Sequence, residues 1–323
     1  MPMTDALVVQ IGKEVSWGTG VTPTIKLAGV SDANISPTVE TRVIATTRGG
    51  YGPGSAAAIT NVESAASCTQ EALYEDIIYW LENMFGAATP SGAGPYTRTY
   101  TAPAGTAPTP VAWTFVYGDA SMGAYRVPGS LVTAFTLKGK VGDPVEMSVE
   151  LAGTSTAATT TAALSDRTVN PLMMHHVAGF YIDTWAGTIG TTSVPSTLYG
   201  FELKAELPRP MRRYAGSTVA TTYNQRKWSG TLRVDMDYNT SSKNLYDSIV
   251  GASATVQRQI RLKFSDTASR DVQIDFAGVV VDAPKAFDDD DGVTTLPMTF
   301  SGLYHSTLAT WLKMIVINSI QTV

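Results

Sequence analysis

The sequence is poor in the residues that most often carry protein chemistry. Its 323 residues include one cysteine, Cys68, and three histidines, so an internal disulfide framework and a Cys/His zinc site are excluded. It contains no Gly-x-Ser-x-Gly turn, no His-Glu-x-x-His pair and no phosphate-binding glycine loop. We therefore expect a protein that is not an enzyme and that uses no cofactor and no metal ion.

Charge is also scarce, and the basic residues are not clustered. Charged residues make up 16% of the chain and the formal net charge is −5, whereas about a quarter of an average sequence is charged. Because no basic cluster is present to neutralise a row of phosphates, specific or tight binding of nucleic acid is disfavoured.

Long apolar runs are missing as well. No stretch reaches the ~18 apolar residues that indicate a membrane helix. The opening residues have neither the basic start nor the apolar core of a signal peptide. We expect no membrane partner, and a chain that stays in the cytoplasm until it is assembled into a larger structure.

The chain does contain short segments in which apolar and polar residues alternate. The clearest are 144–153, 231–238, 259–264 and 271–276. Strict alternation is typical of half-buried strands with one wet face. Connectors rich in Thr, Gly, Pro and Ser separate these segments, as in a β-sandwich or barrel. The sequence therefore predicts a mainly β fold.

Only two segments have the apolar spacing of a helix. Residues 71–86 and 239–251 each carry one apolar stripe at helical spacing. Each ends at a glycine, Gly86 and Gly251, the residue that commonly terminates a helix. Each also follows a predicted strand, so the two segments occupy similar places in the two halves of the chain.

The order of elements in the first half is repeated in the second. A Trp-containing turn, at Trp17 and again at Trp185, leads to a strand, a Gly-rich or Thr-rich loop, a second strand, the helix and further strands. The period is about half the chain, which is too long for a solenoid repeat. We predict two tandem modules, residues 1–160 and 161–323, joined by the Thr/Ala/Ser-rich stretch 154–166.

Several phrases of the sequence resemble one protein family. They are "YGFELKAELPRPMRR" and the following residues through the second helix (199–252), "IRLKF…VQIDFAGVVVDAPKAF…LPMTFSGLY" (260–304) and "GAYRVPGSLVTAFTLKGKVGDPVEMSVELAG" (123–153). Together with the Trp17 segment and the closing "WLKMIVINS", they resemble the tail tube (major tail) proteins of long-tailed, siphovirus-type bacteriophages. The resemblance covers most of the chain.

The resemblance implies a structural protein of the virion. Subunits of that family form rings that stack into a hollow tube, through which DNA passes from head to host. Each module would add about four strands to an inner barrel, so three two-module chains would form a pseudo-sixfold ring of about 24 strands. The implied partners are further copies of the chain and other tail proteins: the tape measure, the tail tip and the terminator.

Within this interpretation, four acidic side chains are candidates for the wall of the channel. Glu146 and Glu150 lie on the wet face of one predicted strand, and Asp235 and Asp237 on that of another. An acidic wall would repel phosphates and let DNA pass. The alternative is an ordinary solvated outer face, and Arg233, which shares the face of the two aspartates, favours it.

Two turns and one charge run complete the candidate residues. Trp17 and Trp185 begin the two modules and are candidates for an arm that contacts a neighbouring subunit. Residues Asp288–Asp291 could bind a divalent cation or form a solvated hairpin tip. The alternative functions are a tail terminator or tail-tip ring protein, and a carbohydrate-binding β-sandwich whose exposed tryptophans stack on sugars.

Overall fold

The structure, a computed structural model, describes residues 7–44, 56–252, 254–281, 287–290 and 292–323. The first half of the chain contains strands β1 to β9 and helix α1, and the second half contains strands β10 to β19 and helix α2. In the first half these are β1 Val8–Lys13, β2 Ile25–Lys26, β3 Val30–Ile44, β4 Ala56–Glu71, α1 Ile77–Phe85, β5 Tyr96–Thr101, β6 Trp113–Asp119, β7 Gly123–Lys140, β8 Glu146–Gly153 and β9 Ala157–Thr159.

In the second half, a 3-10 helix at Met174–His176 precedes the first strand. The elements that follow are β10 Val177–Thr184, β11 Leu198–Glu206, β12 Met211–Arg212, β13 Thr222–Tyr223, β14 Ser229–Asp237, α2 Thr240–Val250, β15 Gln257–Thr267, β16 Arg270–Val280, β17 Asp288–Asp290, β18 Val293–Gly302 and β19 Leu312–Asn318. The predicted mainly β fold is confirmed.

One antiparallel sheet runs through both halves of the chain. Its strands lie in the order β3-β4-β8-β7-β11-β14-β18, and β17 forms a hairpin with β18. The two halves meet where β7 pairs with β11, from Lys140↔Gly200 to Ala134↔Glu206. The backbone hydrogen bonds of this junction, which we call the internal seam, continue the sheet from one half into the other.

Two smaller arrays of strands cover the apolar side of this sheet. The first pairs β2, β1, β6, the start of β7 and β9. The second pairs β10, β15, β16, β19 and β5, so that β5 of the first half joins a sheet made of second-half strands. The layers share one hydrophobic core, in which the rings of Phe201 on β11 and Phe264 on β15 lie 5.5 Å apart.

The predicted alternation is confirmed in all four segments. Val145, Met147, Val149 and Leu151 of the first segment are buried, whereas Glu146 and Glu150 are exposed. On β14, β15 and β16, the apolar positions of the pattern are buried as well. Two polar positions depart from the pattern. Asp275 of β16 is buried and accepts two hydrogen bonds from Arg261, at 2.6 and 2.8 Å, and Gln259 of β15 is buried and donates to the carbonyls of Thr184, Trp185 and Gly187.

The second helix follows its prediction closely, but the first is shorter than predicted. Helix α2 begins at Thr240, where Asn239 caps it by accepting hydrogen bonds from the N–H groups of Ser241 and Ser242. Helix α1 begins at Ile77 and not near residue 71. The reason is tertiary: the N–H of Ala72 donates to the carbonyl of Val145 and the N–H of Tyr74 to that of Asn170, so these residues are held in strand-like pairing. Neither helix has the length and hydrophobicity of a membrane-spanning segment, and the described residues offer no other candidate.

Candidate assembly surface

The side of the large sheet that faces away from the core is polar along its whole width. Pairing registers place side chains of five strands in one cross-strand row: Glu71 of β4, Glu146 of β8, Lys138 of β7, Glu202 of β11 and Arg233 of β14. Because successive side chains of a strand alternate between faces, every second residue from these positions lies on the same side. We call this side the polar sheet face.

Acidic residues outnumber basic ones on the polar sheet face. The acidic side chains on β4, β8, β7, β11 and β14 include Glu71, Glu146, Glu150, Glu202, Glu206, Asp235 and Asp237, and the basic ones include Lys138, Lys140, Lys204 and Arg233. Much of the rest is Ser or Thr, such as Ser148 of β8, Thr136 of β7 and Thr231 of β14. The face is therefore hydrophilic and negatively charged.

Two ion pairs on this face reduce its negative charge locally. Lys204 contacts Glu206 at 2.6 Å and Arg233 contacts Asp235 at 2.9 Å. The hydrogen bond and charge of Lys204 lower the pKa of Glu206, and the same contact raises the pKa of Lys204. Because both pairs are open to solvent, they contribute little to stability, and their main effect is to fix the side-chain positions.

The structure brings together the four acidic residues that the sequence singled out. Glu146 and Glu150 of β8 and Asp235 and Asp237 of β14 share the polar sheet face, although they come from different halves of the chain. Sequence reasoning missed Glu202 and Glu206 of β11, which lie between them. The alternation in "GFELKAE" (200–206) was the available signal for these residues.

Trp17 lies in the turn after β1 and packs against its own chain. Its indole Nε1 donates to the carbonyl of Gly129 at 3.1 Å, and its ring lies 5.3 Å from that of Tyr223. The buried Glu14 carboxylate holds the turn by accepting hydrogen bonds from the N–H groups of Gly18 and Gly129, both at 2.8 Å. Burial raises the pKa of Glu14, although these hydrogen bonds oppose the rise.

Trp185 occupies the corresponding turn after β10. Its ring meets that of His305 edge to face at 4.5 Å, and the carbonyl oxygen of Trp185 lies 2.7 Å from Nε2 of His305. Both tryptophans are half-buried. The structure therefore gives both a role in fastening the chain to itself, and a contact with a neighbouring subunit stays a prediction for the exposed part of each ring.

The acidic run at 288–291 lies at the end of the large sheet. Asp288–Asp290 form β17, which turns through Gly292, at φ 80°, into β18; Asp291 lies outside the described residues. Among the residues that the structure describes, no group of three or more His, Cys, Asp or Glu side chains is placed to hold a metal ion. Cation binding at 288–291 carries no support from this geometry.

Apolar side chains are exposed at both ends of the large sheet, which the sequence did not predict. At one end, Val39 and Val43 of β3 and Ile59 of β4 are each more than half exposed. At the other end, Phe287 beside β17 is 67% exposed, and Val250 of α2, the helix that follows β14, is 59% exposed. In the part of the chain that the structure describes, β3 has a pairing register with β4 alone, so its outer edge is open. Exposed apolar groups beside an open sheet edge are typical of an interaction surface.

Comparison with known proteins gives one match that spans nearly the whole chain. A family model described as phage tail tube protein matches residues 4–302, a range that includes every strand from β1 to β18. A search of the curated proteins finds no match to the chain.

Proposed function

Because the chain belongs to the phage tail tube protein family, and is thereby a component of the virion tail, we propose that it is the subunit of a hollow tube. It forms rings that stack between head and tail tip, and the tube conducts DNA to the host. The observation that carries this proposal is the large sheet, which has an open edge and one continuous polar face. The protein works by assembly and not by catalysis.

Two tandem modules are part of the proposal, and repeated strand pairing supports them. In the first half, β1-β6-β7-β9 and β3-β4-β8-β7 are neighbours; in the second half, β10-β15-β16-β19 and β11-β14-β18-β17 are neighbours. A helix follows β4 in one half and β14 in the other. Such a correspondence between two pairing schemes is expected of a duplicated unit.

A ring of three chains follows from two modules in each chain. Each chain supplies a continuous run of strands that ends at β3 on one side and, on the other, at β17 and the adjoining part of β18; the last residues of β18, 300–302, pair with β16. Head-to-tail contact between these two different ends is heterologous, and heterologous contacts form rings when the rotation closes. Three chains would contribute roughly 24 strands, a number that leaves an open channel.

The polar sheet face becomes the wall of the channel in this arrangement. Its acidic residues, among them Glu146, Glu150, Asp235 and Asp237, repel the phosphates of DNA in transit. Its Ser and Thr side chains carry no charge and bind phosphate only weakly. Lys204 and Arg233 are paired with carboxylates, which limits their attraction for phosphate. DNA therefore passes without specific binding.

The remaining partners follow from the position of a tube in the tail. The tape measure protein would lie in the channel during assembly, and terminator and tip proteins would contact the two ends of the tube. Trp17 and Trp185, at the turns that begin the two modules, are our candidates for contacts between neighbouring subunits. Assembly takes place in the host cytoplasm.

Electron microscopy of the purified chain at increasing concentration tests the proposal, with rotational averaging of end-on views. Hollow tubes with three chains per ring are expected. Tubes with six chains per ring would support the tube function but contradict the prediction that two modules in each chain reduce the ring to three chains. Rings that never stack would instead indicate a terminator or tip protein. A chain that forms neither, even with purified tail-tip complex as an initiator, but binds a glycan array would indicate the receptor-binding alternative.

A further inference from the structure

The first helix of the chain is buried on every side. All nine residues of α1 are buried, and the second half of the chain supplies one of its covers, the segment after β11. There the guanidinium of Arg209 donates to the carbonyls of Asn83, Met84 and Val132, at 3.1, 2.9 and 2.8 Å. Trp228 closes the cover by stacking on Phe85, with ring centroids 5.1 Å apart.

The second helix occupies the same place in the element order of its half, but the residues that the structure describes give it no such cover. Its residues Leu245, Tyr246 and Ile249 pack against the core and are only half-buried. Val250 immediately precedes the capping Gly251, as Phe85 precedes Gly86. Val250 is 59% exposed, whereas Phe85 is 7% exposed. Helix α2 therefore has an apolar face that lacks the layer which α1 has.

The first half of the chain contains a segment that corresponds to the cover of α1. Gly153 ends β8 and Gly302 ends β18, and we align the two halves on these glycines. The pairing registers lead from Gly153 through β4 to β3, and from Gly302 through β14 to β11. This path matches Val39 of β3 with Leu207, the residue that follows β11. Leu207 is fully buried, but Val39 is 54% exposed. Two residues further on, Thr41 of β3 matches Arg209.

These two uncovered surfaces cannot meet within one chain. Strand β3 is the outermost strand at one end of the large sheet, and α2 follows β14 near the other end. Five strand spacings, roughly 25 Å, separate β3 from β14. In a head-to-tail contact between two copies, however, the β3 end of one chain meets the α2 end of the next. The internal seam then shows how such a contact is built, since the β11 end of the second half meets the α1 end of the first half in the same way.

We propose that the exposed face of α2 is the docking site for the β3–β4 hairpin of a second copy of the chain. The strand residues Val39 and Thr41 then lie against α2 as the segment of Leu207 and Arg209 lies against α1, where Arg209 bonds to the helix carbonyls. The paired strands β3 and β4 would reach the C-terminal end of α2 at Val250. This inference rests on the proposed head-to-tail ring and adds the residues of its contact.

Site-directed cross-linking tests the contact. Thr41→Cys and Val250→Cys are made as separate variants, and a short bis-maleimide is added to assembled tubes. The native Cys68 does not interfere, because it is buried and burial raises the pKa of its thiol to about 12. A mixture of the two variants should give cross-linked dimers, and each variant alone should give none, because the contact joins two different surfaces.

The chain that carries both substitutions gives the ring size from the same experiment. Its cross-linked products should form a ladder that stops at three chains. Tubes visible by microscopy but without cross-links in the mixture would overturn the docking site and leave the tube function standing. If no rings or tubes form with an initiator present, the proposed function and this contact are both overturned.

A charge on the helix face provides an independent test. Val250→Asp should prevent tube formation at concentrations ten times those at which the unsubstituted chain assembles. Its thermal midpoint as a monomer should fall only slightly, because Val250 is exposed and a carboxylate at the C-terminal end of a helix is only weakly unfavourable. Asn244→Asp is the matched control: it adds the same charge to the same helix, about 120° away around the axis, and should leave assembly intact. Equal assembly of both variants would contradict the proposal.

Discussion

At the scale of single residues, buried charged groups hold α1 in place. The Asp76 carboxylate, immediately before the helix, accepts a hydrogen bond from Arg167 at 2.6 Å and one from the N–H of Ala28 at 3.3 Å. Burial nevertheless raises the pKa of Asp76 to about 6, because desolvation of the carboxylate outweighs the attraction of Arg167. Burial also raises the pKa values of Glu14, Glu75 and Glu82.

The pKa of Asp76 makes stability depend on pH in a defined direction. A carboxyl whose pKa is higher in the folded state binds more protons there, so its contribution to stability is complete below its unfolded pKa, about 3.9. That contribution is lost as the pH rises through about 6. Urea unfolding of the monomer between pH 4 and pH 7 should show this loss, with a slope of up to about 1.4 kcal/mol per pH unit from this group.

The variant Asp76→Asn isolates that contribution. Its unfolding free energy should fall less with rising pH than that of the unsubstituted chain. The exposed Asp166, a partner of Lys26 at 2.5 Å, supplies the control: Asp166→Asn should keep the original slope. Parallel profiles for Asp76→Asn and the unsubstituted chain would show that Asp76 stays ionised throughout this range.

At the scale of elements, the internal seam decides how the two halves fit together. β7 and β11 pair along seven residues each, and close packing beside them depends on a glycine. A Cβ placed on Gly139 would lie 2.6 Å from Sδ of Met174 and 2.8 Å from the ring of Phe201. Side chains of the second half would have to shift to admit a single methyl group on this strand of the first half.

We expect Gly139→Ala to lower the unfolding free energy by about 1–3 kcal/mol, the usual effect of overpacking a core. Chemical denaturation of the monomer measures the change. Gly105→Ala serves as the control, because a Cβ at Gly105 would have no neighbour within 4 Å. If Gly139→Ala were as stable as the control, the core beside the internal seam would accommodate the added methyl group without loss of stability, which would contradict this prediction.

At the scale of the whole molecule, the polar sheet face joins charges from both halves into one surface. Glu150 of β8 and Glu206 of β11 lie in one row across the seam, with Ala134 of β7 between them. A closed ring would repeat this row in every chain. The electrostatic potential of the proposed channel would then be set by the sum of many carboxylates and not by any single residue.

Reversing one charge in each chain should change how tubes interact with DNA. Glu150→Lys tubes should retain a short fluorescent DNA duplex at low salt and release it as salt rises, since each lysine adds a phosphate contact that displaces counterions. Asp166→Lys makes the same charge change at a residue that the pairing does not place on the polar sheet face, and should leave retention unchanged. Equal retention by both variants would place Glu150 outside the channel.

The sequence by itself determined the strands, their faces and the second helix. Alternation of apolar and polar residues is a local property, because side chains of a strand point to opposite sides wherever the strand lies. For that reason Glu146 and Glu150, and likewise Asp235 and Asp237, were correctly assigned to wet faces of their strands. The resemblance of phrases along the chain also identified the family that the family model then matched.

Only the tertiary structure decided which wet faces share a surface. That outcome depends on the pairing of β7 with β11, a set of backbone hydrogen bonds between residues distant in the chain. Every residue except proline has the same backbone donor and acceptor, so the side chains alone do not specify this pairing. For the same reason, the sequence did not predict the later start of α1 or the burial of Asp275. The exposure of apolar side chains on α2 and β3 could not be predicted from the sequence either. An apolar stripe indicates that a surface is to be covered, but it does not indicate whether the same chain or another one covers it.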